Sequence, residues 1–224
     1  MQRYPLARAD EIDAALRRLA PKPGETILDV PSGAGYLSGD LPAGLTLHQI
    51  DPSPGFSALN PRVRSAPLHR LPLPDASVDG VISLAGLHHL DSLSPLLHEL
   101  RRVLKPTGRV VLADVAAGSP EDAFLDGFVH AHNPQGHRGR YLDPSLEPQL
   151  RAAGLPPATV EDVRYAWHYP SQAALVDGVR EMFGLDATDA QMLQGLRQHG
   201  AHPTPTGWAL PWGLRFAVAR PSTR

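Results

Sequence analysis

Two rhythms of apolar positions alternate along the first half of the chain. Apolar-rich runs at 26–30, 45–50, 78–84 and 109–113 are too short for helices. They read as parallel strands buried on both sides, with 63–66 as a weaker one. Helical spacing lies between them. Ile12, Leu16 and Leu19 fall on one face before Pro21-Lys22-Pro23-Gly24. Leu93, Leu96, Leu97, Leu100, Val103 and Leu104 share a face that Glu99, Arg101, Arg102 and Lys105 avoid, until Pro106-Thr107-Gly108 breaks the pattern. A short helix is expected at 37–41, stopped by Pro42, and another at 146–153, closed by Gly154. Runs at 159–165 and 214–219 predict two closing strands. Strands alternating with helices at this spacing predict one α/β domain over 1–224, with a parallel sheet and right-handed crossovers.

After residue 120 the character changes, and Phe124, Phe128, Tyr141, Tyr165, Trp167, Tyr169, Phe183, Trp208 and Trp212 bring most of the aromatic side chains. Segments 116–141 and 171–207 read as inserts near the ligand-binding end of the sheet, and so as a substrate lid. The 224 residues carry a net charge of −2 and no basic run, so a nucleic-acid partner is not expected. No apolar stretch approaches 18 residues and none at the N-terminus has signal character, so the expectation is a cytoplasmic chain without a membrane partner. The absence of Cys excludes disulfides and thiol catalysis.

The candidate chemistry begins where the first strand ends, in Asp29-Val30-Pro31-Ser32-Gly33-Ala34-Gly35-Tyr36. Glycines in such a loop leave no Cβ between backbone and ligand, and a following helix start offers free N–H groups. Asp51 stands 22 residues after Asp29 at the end of the second strand, where a carboxylate can accept from both ribose hydroxyls. A dinucleotide site prefers a third glycine under the pyrophosphate, and here that position is Ser38. The pattern therefore leans towards a cofactor without a pyrophosphate, such as S-adenosylmethionine.

The stretches ILDVPSGAG, HQIDPS, LPLPDASVDGVIS, GLHHL and LHELRRVLKPTGRVVLAD, in this order, resemble the class I S-adenosylmethionine-dependent methyltransferases of the quinone and small-molecule branch. The resemblance covers about residues 26–114. It implies a Rossmann-like, doubly wound sheet of seven strands, the last antiparallel. It also implies that Asp29, Gly33 and Gly35 hold the methionine end of the cofactor and Asp51 the ribose. Leu68 would give a backbone N–H to the adenine, Ser83 and Leu84 would lie under the cofactor, and Tyr36, Pro52 and Pro67 would border it. Two positions depart from the pattern: Pro31 stands where glycine is usual, and Pro67 where an acidic residue often meets the adenine.

His88-His89 follows the fourth strand, near the transferable methyl of such a cofactor, and imidazole suits general-base work. His88 and His137 are the candidate catalytic groups, although His88 could instead simply pack against the loop. His89, His130, His132, Arg138, Tyr141 and Trp208 are candidate acceptor contacts. His130, His132 and His137 fall within eight residues, but i and i+2 do not share a helix face and a turn isolates the third, so no metal is expected from them. The resulting expectation is methyl transfer to a small, apolar or aromatic acceptor by in-line displacement. The rival readings are a catalytically silent cofactor-binding or partner protein on the same fold, and an NAD-dependent oxidoreductase.

Overall fold

The computed structural model describes residues 3–222. Helix α1 (Ala9–Leu19) leads into β1 (Thr26–Asp29), a single 3-10 turn (Tyr36–Gly39) and β2 (Thr46–Asp51). Then come α2 (Pro54–Leu59), β3 (Val63–Ser65), β4 (Val78–Leu84), α3 (Ser94–Val103) and β5 (Leu104–Asp114). The second half holds α4 (Pro120–Ala123), a π-helical stretch (Phe124–Val129), α5 (His130–His132), α6 (Leu146–Ala152), β6 (Pro157–Tyr169), α7 (Gln172–Phe183), α8 (Asp189–Gln198), β7 (His202–Thr204) and β8 (Gly207–Ala219). The strand order is β3-β2-β1-β4-β5-β8-β6, with β8 antiparallel to both neighbours, and short β7 pairs with the start of β8 as an eighth strand.

Both faces of the sheet are covered. Side chains alternate along a strand, so Ile27 and Leu28, or Val110 and Val111, enter opposite cores. Leu96, Leu97, Leu100 and Val103 of α3 close one core together with Leu146 and Leu150 of α6. The other core joins Ile12, Ala15 and Leu19 of α1 to the aromatic half of the chain. Both segments read as inserts, 116–141 and 171–207, enter that core, through Phe124, Leu125 and Val129 and through Leu175, Val179, Met192 and Leu196. Helix α8 starts on a capping box between Thr188 and Gln191. Among the described residues no helix is long and apolar enough to cross a membrane.

The closing strands are longer than their apolar runs. β6 and β8 stay paired from Pro157↔Ala219 to Tyr169↔Trp208. Pro211, which has no N–H for a ladder, sits beyond the Asp114↔Arg215 end of the β5 pairing, opposite Ala166, where only β6 flanks β8. A strand edge tolerates the missing N–H. This extension carries Trp167 and Trp212 to the ligand end of the sheet, stacked with centroids 4.1 Å apart. Helix α1 is tied to the same place: Trp167 Nε1 donates to the buried Glu11 carboxylate at 2.8 Å, and Glu11 also pairs with Arg8.

Candidate functional site

The loop after β1 is built around Asp51. One carboxylate oxygen accepts from the Gly33 N–H at 2.8 Å and the other from the Ser53 N–H at 2.9 Å. A carboxylate has about four lone-pair positions, so each oxygen keeps one for a ligand hydroxyl. The two glycines have different reasons to be there. Gly33 (φ +54°) would send a Cβ where it meets no protein atom, on a residue that lines an open cavity. Gly35 (φ +78°) would drive a Cβ to 2.8 Å from the Gln49 amide and 2.9 Å from Asn60 Nδ2. Gly33 leaves room for a ligand, and Gly35 lets the loop pack on β2.

The cavity against this loop measures about 390 Å³, and Pro31, Gly33, Tyr36, Asp51, Pro52 and Leu84 all line it. Asp29 and Ser83 are buried beneath, with Asp29 accepting from Gln49 Nε2 at 3.2 Å. Pro67 and Leu68 follow β3 and are not among the lining residues; the Leu68 side chain is buried in the core with α3. Phe56 on α2 and Arg8 ahead of α1 line the cavity without having been expected there.

Burial pushes the Asp29 carboxyl up to about 7, against the hydrogen bond from Gln49 and helped by the charge of Asp51. In an unfolded chain it titrates near 3.9. Between these values the folded chain holds the extra proton, so this group lowers stability as pH rises from about 4 to 7. Asp29→Asn should therefore melt above the wild type at pH 8, by about 4–8 °C for a gain near 2 kcal/mol. The gain should vanish as pH falls towards 4, and thermal melts across pH 4–8 check it. A gain independent of pH would show that the charge is not its origin.

At the C-terminal end of β4 the chain turns through Leu87–His89. The turn is held by Asp114 at the end of β5, whose carboxylate is fully buried. Asp114 accepts from the backbone N–H of Leu87 (2.6 Å), His88 (3.0 Å) and Val115 (2.7 Å), and its Oδ1 lies 2.7 Å from His88 Nδ1. Burial raises the Asp114 carboxyl, but His88 and these N–H groups outweigh it and hold it below the ordinary range. Burial likewise lowers the His88 imidazole, and the Asp114 charge and hydrogen bond more than reverse that. With Nδ1 engaged, His88 is left with Nε2 for other work.

His137 joins from the loop after α5. Its backbone meets His130 Nδ1, and the Arg140 N–H donates to the His88 carbonyl at 2.8 Å, docking the loop on the turn. His137 Nδ1 lies 3.5 Å from Asp126 Oδ1, an oxygen that also accepts from the Tyr141 hydroxyl at 2.5 Å and the Gly139 N–H at 3.1 Å. Burial and the neighbouring His88 charge lower the His137 imidazole. The ring centroids of His88 and His89 are 4.0 Å apart, and each lies within 5.6 Å of His137. One ligand atom from each of the three falls within 4.8 Å of the others, so the fold assembles from distant positions a metal-competent group that local spacing did not offer.

These three histidines line a second cavity of about 370 Å³, closed on its far side by Leu125, Phe183, Trp167 and Trp212. The two cavities share Arg8, Tyr36, Phe56, Ala85 and His89. A ligand on Asp51 and a ligand among the aromatics would therefore meet at His89.

Residues 28–112 match the methyltransferase domain family. A demethylmenaquinone methyltransferase of Beutenbergia cavernae is 35% identical over 151 residues, which span 64% of this chain and 58% of that protein. Over residues 28–112 the chain therefore carries a methyltransferase domain. An uncharacterized methyltransferase of Bacillus subtilis, YcgJ, is 27% identical over 62% of this chain and 56% of its own length. The chain thus spans under two thirds of either relative's sequence. The crystal structure of YcgJ superposes with a TM-score of 0.67 at 16% identity, covering 96% of this chain and all of that one, which is agreement in fold.

Within this methyltransferase fold, several expected acceptor contacts stand apart from the second cavity. His130 holds the His137 backbone and His132 Nδ1 lies 3.0 Å from the Phe128 carbonyl, so both serve local structure. Arg138 is exposed, and Tyr141 supports Asp126 from beside a different surface pocket. Trp208 lies four positions from Trp212, about 13 Å along the strand, where Arg197 stacks over it. Trp167 and Trp212 occupy the lining place instead. Asp114 was visible only as the end of a strand.

Proposed function

We propose that this chain transfers a methyl group from S-adenosylmethionine to a small, apolar or aromatic acceptor by in-line displacement. The observation that carries this reading is the pair of abutting cavities, one against the glycine loop and Asp51, the other lined by aromatic rings and histidines. The residues present fit the cofactor: the free lone pairs of Asp51 suit a ribose diol, open space at Gly33 admits a close approach, and a cationic amino-acid end near Asp29 would favour the ionised form that burial disfavours in the empty protein. When bound, S-adenosylmethionine supplies an electrophilic methyl on a sulfonium centre.

The remaining work falls to the chain itself. Phe183, Trp167 and Trp212 hold the acceptor and exclude water, with segments 116–141 and 171–207 as its lid. Alignment of acceptor and methyl at about 3–3.5 Å supplies most of the acceleration, because charge is dissipated as the methyl moves. His88, oriented by Asp114, and His137 face the acceptor and handle its departing proton.

The test is a thermal-shift and calorimetric titration followed by transfer of isotopically labelled methyl to a panel of phenolic, quinol and carboxylic acceptors. S-adenosylmethionine should raise the melting temperature by mass action, while NAD leaves it unchanged. Labelled product from an aromatic acceptor is the expected result. A shift by NAD alone would overturn the reading, as would cofactor binding without transfer to any acceptor, which would point to a silent binding protein.

A further inference from the structure

We propose that His88, His89 and His137 form a binding site for one divalent transition-metal ion of the Zn²⁺ type, with its open coordination position facing the acceptor cavity. The three residues come from two separate elements, the turn after β4 and the loop after α5, fixed to each other by the Arg140 N–H on the His88 carbonyl. Their ligand atoms lie within 4.8 Å of one another. A tetrahedral Zn²⁺ with bonds near 2.0–2.1 Å needs its nitrogens roughly 3.4 Å apart. The closure required is small, and His89, exposed and without a side-chain hydrogen bond among the described residues, is the ring free to supply it.

The outer shell fits as well. Metal-bound histidines usually offer their second nitrogen to a carboxylate, which fixes tautomer and ring orientation. His88 has this arrangement with the buried Asp114, and His137 Nδ1 faces Asp126, itself held by Tyr141 and Gly139. Both arrangements leave Nε2 as the free donor. Three imidazoles suit Zn²⁺, Ni²⁺ or Co²⁺ better than the oxygen-seeking Mg²⁺ or Ca²⁺. Three protein ligands leave a fourth position open, and all three line the acceptor cavity.

The consequence for substrate class rests on the methyl-transfer reading above, whereas the site does not. An ion there would select acceptors carrying a hydroxyl or carboxylate oxygen able to occupy the open position. It would also lower that oxygen's pKa, so the histidines would serve as ligands and not as the proton acceptor.

The experiment is calorimetric titration of the full chain with Zn²⁺, and with Co²⁺ read by its visible absorption, both without S-adenosylmethionine. One equivalent of Zn²⁺ should bind, with a tetrahedral-type Co²⁺ spectrum. His89→Ala and His137→Ala should each weaken binding by at least about tenfold, with His132→Ala unchanged as the control for histidines elsewhere. Because His89 is exposed, its replacement tests the site without threatening the fold. S-adenosylmethionine affinity, measured separately on chelator-treated protein, should survive His137→Ala, because His137 lines only the acceptor cavity. Absence of stoichiometric Zn²⁺ binding, or binding indifferent to both alanines, overturns the metal site and leaves the methyl-transfer reading standing. Metal binding in a chain that does not bind S-adenosylmethionine would do the reverse.

Discussion

Glutamine in place of His88 should lower methyl transfer about 10²–10⁴-fold at saturating cofactor, with little change in the affinity for S-adenosylmethionine. The split follows from where His88 sits. It lines the aromatic cavity but is not among the residues lining the cavity at the glycine loop. Glutamine keeps an N–H for Asp114, so the turn Leu87–His89 retains its anchor, yet it offers no imidazole nitrogen to the acceptor. Asp114→Asn is a poorer probe, because the new NH₂ would face backbone N–H groups of Leu87, His88 or Val115. The expected loss is the same whether His88 takes the acceptor proton itself or serves as a metal ligand, and zinc titration of the same variant separates the two. The measurement is turnover on an acceptor found in the labelled-methyl panel, alongside calorimetry with cofactor. A folded His88→Gln chain with near wild-type turnover would sink the catalytic assignment and leave the histidine as lining.

How much of this was readable in the chain depends on the range of the interactions. The cofactor half is made of consecutive strand–loop–helix units, so the strand ends that carry Asp29 and Asp51 and the loop with Gly33 come together through short connections that apolar periodicity makes visible. The acceptor half is made by distant pairings. Trp167 and Trp212 are 45 positions apart and stack only because β6 and β8 pair far beyond their apolar runs. Trp208 drew attention for its residue type, although strand geometry carries it away from the cavity. The histidines teach the same lesson. Spacing within 130–137 gave no reason to expect a ligand set there, and it could not show His137 meeting His88 and His89 across 48 positions of sequence. Asp114 and Arg8 carried no local signal, because each acquires its partners from other elements.

Alanine at Asp51 should weaken S-adenosylmethionine binding by about 1.5–3 kcal/mol, the usual worth of hydrogen bonds to a charged group. That is roughly a 10- to 150-fold rise in Kd. Two effects add in the same direction. The variant loses the acceptors for the ribose hydroxyls, and it releases the Gly33 and Ser53 N–H groups that Asp51 holds at 2.8 and 2.9 Å. Folding should survive. Burial already raises the Asp51 carboxyl above its ordinary value against the pull of the Ser53 and Gly33 N–H groups, so its charge is held there at some cost to the empty protein. Asp51→Asn separates the two effects, since its single carbonyl oxygen can still accept from one N–H while the ribose loses an anionic partner. A drop for Asn that approaches the drop for Ala would assign the energy to the ribose; a much smaller drop would assign it to the loop. Calorimetric titration of both variants with S-adenosylmethionine and S-adenosylhomocysteine gives the answer, and the two ligands should lose affinity in parallel because they share the ribose. Unchanged Kd in a folded Asp51→Ala chain would remove Asp51 from the cofactor site.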